Sequence, residues 1–343
     1  MEGRFGLDLD APGVLVLFGP SGCGKTTVLR ALAGLDRIDE GTLRAGTDTW
    51  AAPGRHVPPR QRRVGMVFQE PALFPHLTVE QNVRFGLYQL TDAEAHARAV
   101  DALARTGIAE LVDRRPHEIS AGQRQRAALA RAIAPRPRLL LLDEPLSALD
   151  TPSRESLRRA LRAVLVTLGI PSILVTHDRT EALGLGDRVV VMSGGRVLQD
   201  GPIQDVFSRP CSEEAARVLG VETVVEGRVE HCAEGLCTVA VGAARLVGLA
   251  PDDVSGTVMV CIRSEDVVLM AADVTPTSAR NHLAARVTLL EPDGALCRVT
   301  LDCGFPLVAQ VTRGAVAELR LAPGSAVTVL LKAGAVQVVA RAA

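Results

Sequence analysis

Short, unbroken apolar runs alternate with helical stretches over about the first 220 residues of the chain. The runs at 14–18, 139–142 and 173–175 carry apolar side chains at consecutive positions. Such runs are typical of parallel strands that are buried on both faces. Between them, apolar positions recur at helical spacing, as in residues 91–106. This alternation predicts an α/β fold with a parallel sheet.

A different pattern begins near Gly220, where apolar and polar residues alternate in short stretches separated by turn-forming residues. Residues 297–302 alternate strictly, and residues 291–294 form a predicted turn before them. We expect a small all-β, OB-like barrel half or pair, with one short helix near 316–319. The predicted domains are an α/β domain at 1–220 and a β domain at 221–343, the latter with units at 224–270 and 277–343.

Composition and charge restrict the class of protein. Hydrophobic residues make up 47% of the chain and charged residues 22%, as in ordinary folded domains. No apolar run approaches the length of a transmembrane helix. The net charge of −1 and an aromatic content of 3% argue against a nucleic-acid-binding surface. The seven cysteines match no zinc-binding spacing well, so we predict reduced, mostly structural thiols in a cytoplasmic protein.

A glycine-rich loop follows the first apolar run and precedes a helical stretch that ends at Gly34. Its spacing, G-x-x-x-x-G-K-T, is typical of loops that bind polyphosphates, because glycines let successive backbone N–H groups turn inward. The helix start adds partial positive charge. Lys25 would reach the β- and γ-phosphates, and the Thr26 hydroxyl would hold Mg²⁺. The predicted P-loop NTPase site comprises Gly19, Pro20, Ser21, Gly22, Cys23, Gly24, Lys25, Thr26 and Thr27.

Polar residues stand at the ends of three more predicted strands. Gln69 could ligate Mg²⁺ or orient a water beside the phosphates, although a glutamine after a strand is by itself more often a surface residue. Asp143 is placed to hold Mg²⁺ through its waters, and Glu144 can accept a proton from an attacking water. His177 ends a further strand, where a lone histidine is more often structural than catalytic. Here it joins several polar residues at predicted element ends.

Two further stretches indicate partners. Ser120 is a natural N-cap of a helix that begins with small residues and exposes its N–H groups to an anion. Because the domain already has one phosphate loop, this second helix start predicts a nucleotide shared with another copy of the domain. The apolar, proline-containing segment 71–77 predicts either a partner surface or a loop folded back onto its own domain.

Together these residues resemble the nucleotide-binding subunit of an ATP-binding-cassette importer over about residues 1–220. The resemblance implies ATP with Mg²⁺, and catalytic roles for Glu144, His177 and Gln69. It also implies a homodimer at the cytoplasmic face of the cell membrane, with two permease subunits that contact residues 69–77. The implied motifs around the phosphates are the Walker A loop at 19–27, the Q-loop Gln69, the Walker B acid Asp143 and the catalytic base Glu144. The other implied motif residues are the signature residues Ser120, Gly122 and Gln123, the D-loop acid Asp150 and the switch His177. The resemblance also implies that Thr26, Gln69 and Asp143 hold Mg²⁺.

The chain departs from this family pattern at two places. The signature usually reads L-S-G-G-Q, whereas alanine stands here at its first glycine, Ala121. Alanine is compatible with the motif if its φ is negative, but it leaves less room beside the γ-phosphate. The family also stacks adenine on an aromatic residue upstream of the loop. Either Phe5 takes that place, or adenine binding is weaker.

The second β-unit resembles the small molybdate-binding domain at the C-terminus of molybdate-importer ATPases. The resemblance implies an oxyanion bound by Ser278, Arg280, Asn281 and Lys332, and a hydroxyl with nearby cations suits a tetrahedral dianion. A loop that simply enters a strand is the alternative for 278–281. We therefore expect an ATPase subunit that drives uptake of molybdate or a similar oxyanion. The alternatives are an importer for another solute, such as sulfate, iron, polyamine or sugar, and a soluble oxyanion-sensing ATPase.

Overall fold

The computed structural model describes residues 4–9, 11–147, 151–250, 254–271 and 277–340. They form two compact units, Met1–Gln204 and Asp205–Ala343. Residues 205–220 group with the second unit in this division, although they were expected at the end of the α/β domain. The functional division near residue 220 stays a prediction.

The first unit contains a six-stranded sheet, a small antiparallel sheet and seven α-helices among the described residues. Its strands are β1 Val14–Phe18, β2 Leu43–Ala45, β3 Asp48–Ala52, β4 Arg55–His56, β5 Val64–Val67, β6 Leu139–Asp143, β7 Ser172–Thr176, β8 Arg188–Ser193 and β9 Arg196–Pro202. Its helices are α1 Lys25–Ala33, α2 Pro59–Arg62, α3 Val79–Arg84, α4 Asp92–Arg105, α5 Ala121–Ile133, α6 Thr151–Leu168 and α7 Arg179–Leu185. A further helix, α8 Ile203–Ser208, begins at its end, and 3₁₀ turns lie at Phe85–Leu87, Ala109–Leu111 and Pro116–Glu118.

The order of the large sheet decides where the polar strand ends meet. Its strands run β5–β6–β7–β1–β8–β9, and all neighbours are parallel except the last pair. Strands β1, β6 and β7 are buried at every position, as their unbroken apolar runs predict. Because β5, β6, β7 and β1 are adjacent and parallel, the residues that follow them emerge at one edge of the sheet.

Local chain signals set the helix bounds near that edge. Helix α1 ends where Gly34 takes a left-handed φ of 79°, and its N–H bonds to the Ala31 carbonyl at 3.1 Å. Helix α4 starts with a reciprocal capping box between Thr91 and Glu94. The predicted α/β P-loop architecture is confirmed by these elements and their order.

The second unit is mostly β-structure and confirms the predicted all-β class. Its strands are β10 Thr223–Ala233, β11 Leu236–Val241, β12 Ala244–Leu249, β13 Thr257–Ile262, β14 Val268–Met270, β15 Asn281–Asp293, β16 Leu296–Asp302, β17 Pro306–Thr312, β18 Ala326–Leu331 and β19 Val336–Ala340. Its complete helices are α9 Glu213–Val218 and α10 Arg313–Glu318, and 3₁₀ turns lie at Ser264–Asp266 and Ala333–Ala335. Helix α10 lies where the short helix was predicted.

The two β-units predicted at 224–270 and 277–343 are not separate in the structure. Strands β10, β11, β12, β19 and β13 close a barrel, so the last described strand joins the first predicted unit. Conversely, β14 pairs with β18 in the five-stranded sheet β14–β18–β15–β16–β17. Each predicted unit therefore gives one strand to the other, and a single apolar core that includes Val239 and Val329 joins them.

The cysteines correct one prediction. Cys232 and Cys237 face each other in the β10–β11 pairing, with Cα atoms 4.1 Å apart, and form a disulfide. The prediction of reduced thiols is therefore wrong for this pair, because the strand pairing places the two side chains directly opposite each other. Burial raises the pKa of Cys261 to about 11 and that of Cys303 to about 12. These two thiols stay protonated near neutral pH, as structural cysteines do.

Candidate active site

The phosphate loop lies between β1 and α1, as the motif predicts. Gly22 and Gly24 adopt left-handed φ values of 79° and 101°, which glycine takes without strain. A Cβ atom at Gly19 would collide with the Met192 carbonyl oxygen. Lys25 is only 4% exposed, and its Nζ donates to the carbonyls of Gly19 and Pro20 at 2.8 Å each. The ammonium is thus held across a loop whose backbone is shaped for a close anion.

A hydroxyl and a carboxylate meet beside this loop. Thr26 Oγ1, in the first turn of α1, donates to Asp143 Oδ1 at the end of β6 over 3.1 Å. Burial is the largest influence on Asp143 and raises its pKa, whereas the hydrogen bond from Thr26 lowers it. Two hard oxygen donors, one on a buried acid, fit Mg²⁺. Within the described ranges no three His, Cys, Asp or Glu side chains form a metal cluster, so such an ion would take its other ligands from phosphate and water.

Two polar strand-end side chains, those of Gln69 and His177, meet at Glu144. Its Oε2 accepts from Gln69 Nε2 at 3.4 Å, and its Oε1 lies 3.1 Å from His177 Nδ1. The Glu144 side chain is 16% exposed, and its backbone adopts a left-handed φ of 43°. A non-glycine residue in that region carries strain of about 1–3 kcal/mol, which structures retain mainly at functional positions. The carboxylate is therefore fixed from both sides and can accept a proton.

Ser120 caps α5 as predicted. Its Oγ accepts from Gln123 N at 3.2 Å, and Gln123 Oε1 accepts from Ser120 N at 2.8 Å. Ala121 is the first residue of the helix, and its φ is not positive. Alanine is therefore compatible with the backbone at this position of the motif. A Cβ at Gly122 would meet nothing within 4 Å, which leaves open space over the helix start. Asp150, the implied D-loop acid, lies outside the described residues.

The segment 71–77 packs on its own unit and still leaves aromatic side chains near the surface. The rings of Phe74 and Phe85 are 4.4 Å apart between centroids. Phe85 is 59% exposed and Tyr88 is 77% exposed. The sequence interpretation missed Phe85 and Tyr88, although two exposed aromatics just after a short helix are a usable signal in a chain with nine aromatic residues.

Phe5 packs against the apolar core of the first unit together with Leu7 and Leu9. It also lines a cavity of about 470 Å³ beside Trp50. Its predicted stacking on adenine stays a prediction.

The predicted oxyanion residues separate into two groups in the second unit. Ser278 and Lys332 line a cavity of about 540 Å³, which Glu265 and Asp266 also line. Arg280 and Asn281 are not among the described residues that line it.

Asn281 has a different role from the predicted one. It is 3% exposed, and its amide bonds to Val247 N, Val247 O and Leu331 O at 2.6, 2.9 and 3.2 Å. The side chain ties β15 to β12 and β18, so its amide is already committed to the backbone. The structure therefore argues against Asn281 as an anion ligand.

Within the described parts of the chain, every helix falls short of the combined length and apolarity that a membrane-spanning segment needs.

Comparison with known proteins places this geometry in a family. Residues 4–147 match the ABC transporter family, and residues 277–338 match the TOBE domain family. The chain is 41% identical over 327 residues to the molybdate/tungstate import ATP-binding protein WtpC of Pyrococcus horikoshii, an alignment that covers 94% of this chain and 91% of that protein. It is 41% identical over 273 residues to the spermidine/putrescine import ATP-binding protein PotA of Marinobacter nauticus, covering 78% of this chain and 72% of that protein.

A solved structure shares the fold. The dimeric, post-hydrolysis structure of the ATP-binding cassette MJ0796, bound to ADP and Pi, aligns with a TM-score of 0.50 and 29% identity. The alignment covers 57% of this chain and 88% of that chain. With its phosphate loop, its acidic strand end and its C-terminal β-unit, this chain belongs to the ABC transporter family as the ATP-binding subunit of an importer that carries a TOBE domain.

Proposed function

We propose that this protein hydrolyses ATP in a homodimer to drive uptake of molybdate or a chemically similar oxyanion. The contact of Glu144 with both Gln69 and His177, at the sheet edge that carries the phosphate loop, is the observation that supports the catalytic part most directly. The alignment with WtpC over 94% of this chain supports the choice of substrate. The α/β domain at 1–220 would do the chemistry, and 221–343 would bind the anion.

Glu144 would act as the general base. Its carboxylate accepts a proton from the water that attacks the γ-phosphate of ATP. Gln69 and His177 each hold one of its oxygens, so the free lone pairs keep a fixed direction. Lys25 and the backbone N–H groups of residues 19–27 bind the transferred phosphate and stabilise its charge.

Mg²⁺ would be held by Thr26 Oγ1, Asp143 and the Gln69 side chain. When bound, it neutralises charge on the β- and γ-phosphates. Asp143 is suited to this because its burial makes a nearby cation favourable. The hydrogen bond from Thr26 to Asp143 already holds the two oxygens 3.1 Å apart.

The ATP site would be completed by a second copy of the chain. Ser120, Gly122 and Gln123 of the partner would bind the γ-phosphate through the uncovered start of α5. The open space over Gly122 and the dimeric arrangement of MJ0796 support this proposal. Asp150 would lie near the same interface.

The importer's two membrane subunits would contact residues 69–77. The exposed aromatic rings of Phe85 and Tyr88 extend this apolar surface. The protein would then be a peripheral subunit at the cytoplasmic face of the cell membrane.

In the TOBE domain, Lys332 and Ser278 would bind the oxyanion at the cavity that they line. Arg280 does not line that cavity, so its part in binding stays a prediction. Glu265 and Asp266 line the same cavity and oppose the binding of a dianion there, so Lys332 would supply the attraction. The alignment with PotA keeps an importer for another solute as the second candidate.

Uptake measurements distinguish these functions. The chain, expressed with the membrane subunits that copurify with it, should support ATP-dependent accumulation of molybdate and tungstate at least about tenfold above a Glu144→Gln control. Sulfate and spermidine should stay at the level of the control. Uptake of spermidine alone would favour the polyamine candidate. Molybdate binding by a chain that copurifies with no membrane subunit would favour the soluble sensor.

A further inference from the structure

Arg131 connects two parts of the first unit that are distant in sequence. It lies near the end of α5, and its guanidinium donates to the Ala72 carbonyl at 2.8 Å and to the Pro71 carbonyl at 2.9 Å. The same group lies 5.8 Å from the centroid of the Phe74 ring. One side chain of α5 thus contacts Pro71, Ala72 and Phe74 of the segment 71–77.

The chemistry of this contact requires arginine. Two hydrogen bonds to neighbouring carbonyls and a stacked ring use the planar fork and the face of the guanidinium together. Among the described residues no carboxylate pairs with Arg131, and burial lowers the pKa of its guanidinium. Its charge is therefore balanced by backbone dipoles and one aromatic face. A lysine ammonium could still donate to these carbonyls, but it lacks the planar fork and the flat face that lies against the Phe74 ring.

The other side of the segment 71–77 is held by α3. Asn82 is fully buried, and its amide bonds to both the N–H and the C=O of Phe74, at 2.8 and 3.1 Å. Ala72, whose carbonyl accepts from Arg131, has a left-handed φ of 46°. A non-glycine residue in that conformation is kept there by its surroundings. The segment is therefore fastened to two helices and cannot move independently of both.

Helix α5 joins Arg131 to the opposite end of the site. Ser120 caps its start, and Arg131 lies 11 residues further on, roughly 16 Å along a continuous helix. The side chains between them are buried or partly buried, so we expect the helix to move as one body. A displacement of its start on nucleotide binding would then reach Pro71 and Ala72 through Arg131.

We propose that Arg131 is a positioning residue that transmits movement of the Ser120 end of α5 to the segment 71–77. This inference rests on the proposed function, because that function places ATP at Ser120 and the membrane subunits at 69–77. Arg131 is assigned no role in nucleotide binding, and it acts through the carbonyls of Pro71 and Ala72. Arg131 determines whether the Ser120 end of α5 and the segment 71–77 move together.

Hydrogen exchange of the purified full chain tests the coupling without any membrane subunit. The parent protein is Glu144→Gln, measured with and without ATP and Mg²⁺. We expect ATP to slow exchange at 120–125 and to change exchange at 71–77. In Arg131→Lys, the effect at 120–125 should persist, while the ATP-dependent change at 71–77 falls to less than about one third. Arg131→Met should behave likewise if Lys proves too poorly folded.

Arg126→Lys is the matched control. It lies on the same helix, and its guanidinium contacts the Thr106 carbonyl at 3.5 Å, away from 71–77. Both ATP effects should survive in this variant.

Three results would overturn the inference and leave the shared ATP site standing. One is an unchanged ATP effect at 71–77 in Arg131→Lys. Another is an equal loss of the ATP-dependent change in hydrogen exchange at 120–125 and at 71–77 in that variant, which would show that Arg131 has a general structural role. The third is a parent protein that responds at 120–125 only. A parent that responds at neither peptide overturns the shared ATP site itself, and the inference with it, so the two failures have different signatures.

Discussion

The two units hold their polar side chains in different ways. In the first unit, Gln69, Glu144 and His177 each follow a strand of one sheet, and Gln69 and His177 both contact Glu144. In the second unit, the cavity lined by Ser278 and Lys332 is open and also contains two acids. In the first unit hydrogen bonds join the polar side chains through Glu144, whereas in the second unit charges of both signs line one cavity.

This difference predicts how each site responds to mutation. Parallel strands bring their carboxyl ends to one edge, so the position of the first site is fixed by strand order and by buried apolar residues. The second site depends on loops around β15 and β18 and on the strands that the two β-units exchange. We therefore expect mutations in the first unit to change catalysis sharply, and mutations in the second unit to separate into effects on binding and effects on stability.

The largest expected effect is in the first unit. Glu144→Gln should retain ATP binding but lower the turnover number by about 10²–10⁴-fold, because an amide keeps the shape of the carboxylate and cannot accept a proton. Phosphate release and binding of a fluorescent ATP analogue should be measured on the same preparation, with thermal unfolding as the control for folding. Turnover close to that of the unchanged protein would show that another group accepts the proton.

The positions of the candidate site residues in the first unit could be predicted because their signals are local. The phosphate loop, the strand-end residues Gln69, Asp143 and Glu144, and the cap at Ser120 are each defined by a few neighbouring residues. Their meeting follows from strand order in a parallel sheet. The contact of Arg131 with Pro71 was not predicted, because it joins positions 60 residues apart. Its acceptor is a backbone carbonyl, which every residue has, so the sequence does not identify it.

The second unit was predicted in class but not in pairing. Alternating strands identified β-structure, yet the exchange of β14 and β19 depends on which edges meet in the folded barrel. The same long-range pairing placed Cys232 opposite Cys237 and committed Asn281 to the backbone of Val247. A resemblance at 277–281 identifies residue types, but only the fold decides which of them face a cavity.

A smaller effect should separate binding from structure in the second unit. Lys332→Ala should weaken molybdate binding by about 10–100-fold, because it removes a charge-assisted bond, and should leave the melting temperature nearly unchanged. Asn281→Ala should do the reverse, with about 1–3 kcal/mol lost from the free energy of unfolding as buried backbone groups lose their partner. Calorimetry with molybdate and thermal unfolding should be compared for both variants.

The opposite pattern would change the assignment of these residues. If Asn281→Ala loses binding at full stability, its amide is a ligand rather than a tie between strands. If Lys332→Ala binds as tightly as the unchanged protein, the anion lies elsewhere.

The smallest expected effect concerns Glu181, a buried acid close to His177. Glu181 is 4% exposed on α7, and its Oε2 accepts from Thr176 Oγ1 at 2.8 Å. Burial is the main cause that raises its pKa, and the hydrogen bond from Thr176 and the charge of Arg154 oppose it. An acid whose pKa is raised by folding binds its proton more tightly in the folded state, so it lowers stability as pH rises from its unfolded pKa, about 4.3, through its folded pKa.

Glu181→Gln should remove this loss, because the amide oxygen still accepts from Thr176 and carries no charge. Melting temperatures from pH 4 to pH 8 should therefore show the variant equal to the unchanged protein at the acid end and more stable, by a few degrees at most, near neutrality. Glu94→Gln is the control, and its effect on stability should have the opposite sign. Hydrogen bonds from Thr91 lower the pKa of Glu94, so its carboxylate stabilises the folded state at pH values above its unfolded pKa. Glu94→Gln should therefore be less stable than the unchanged protein near neutrality. If Glu181→Gln instead becomes less stable than the unchanged protein as pH rises, Glu181 is ionised and held by Arg154, and the acid beside His177 belongs to the charged network of the first site.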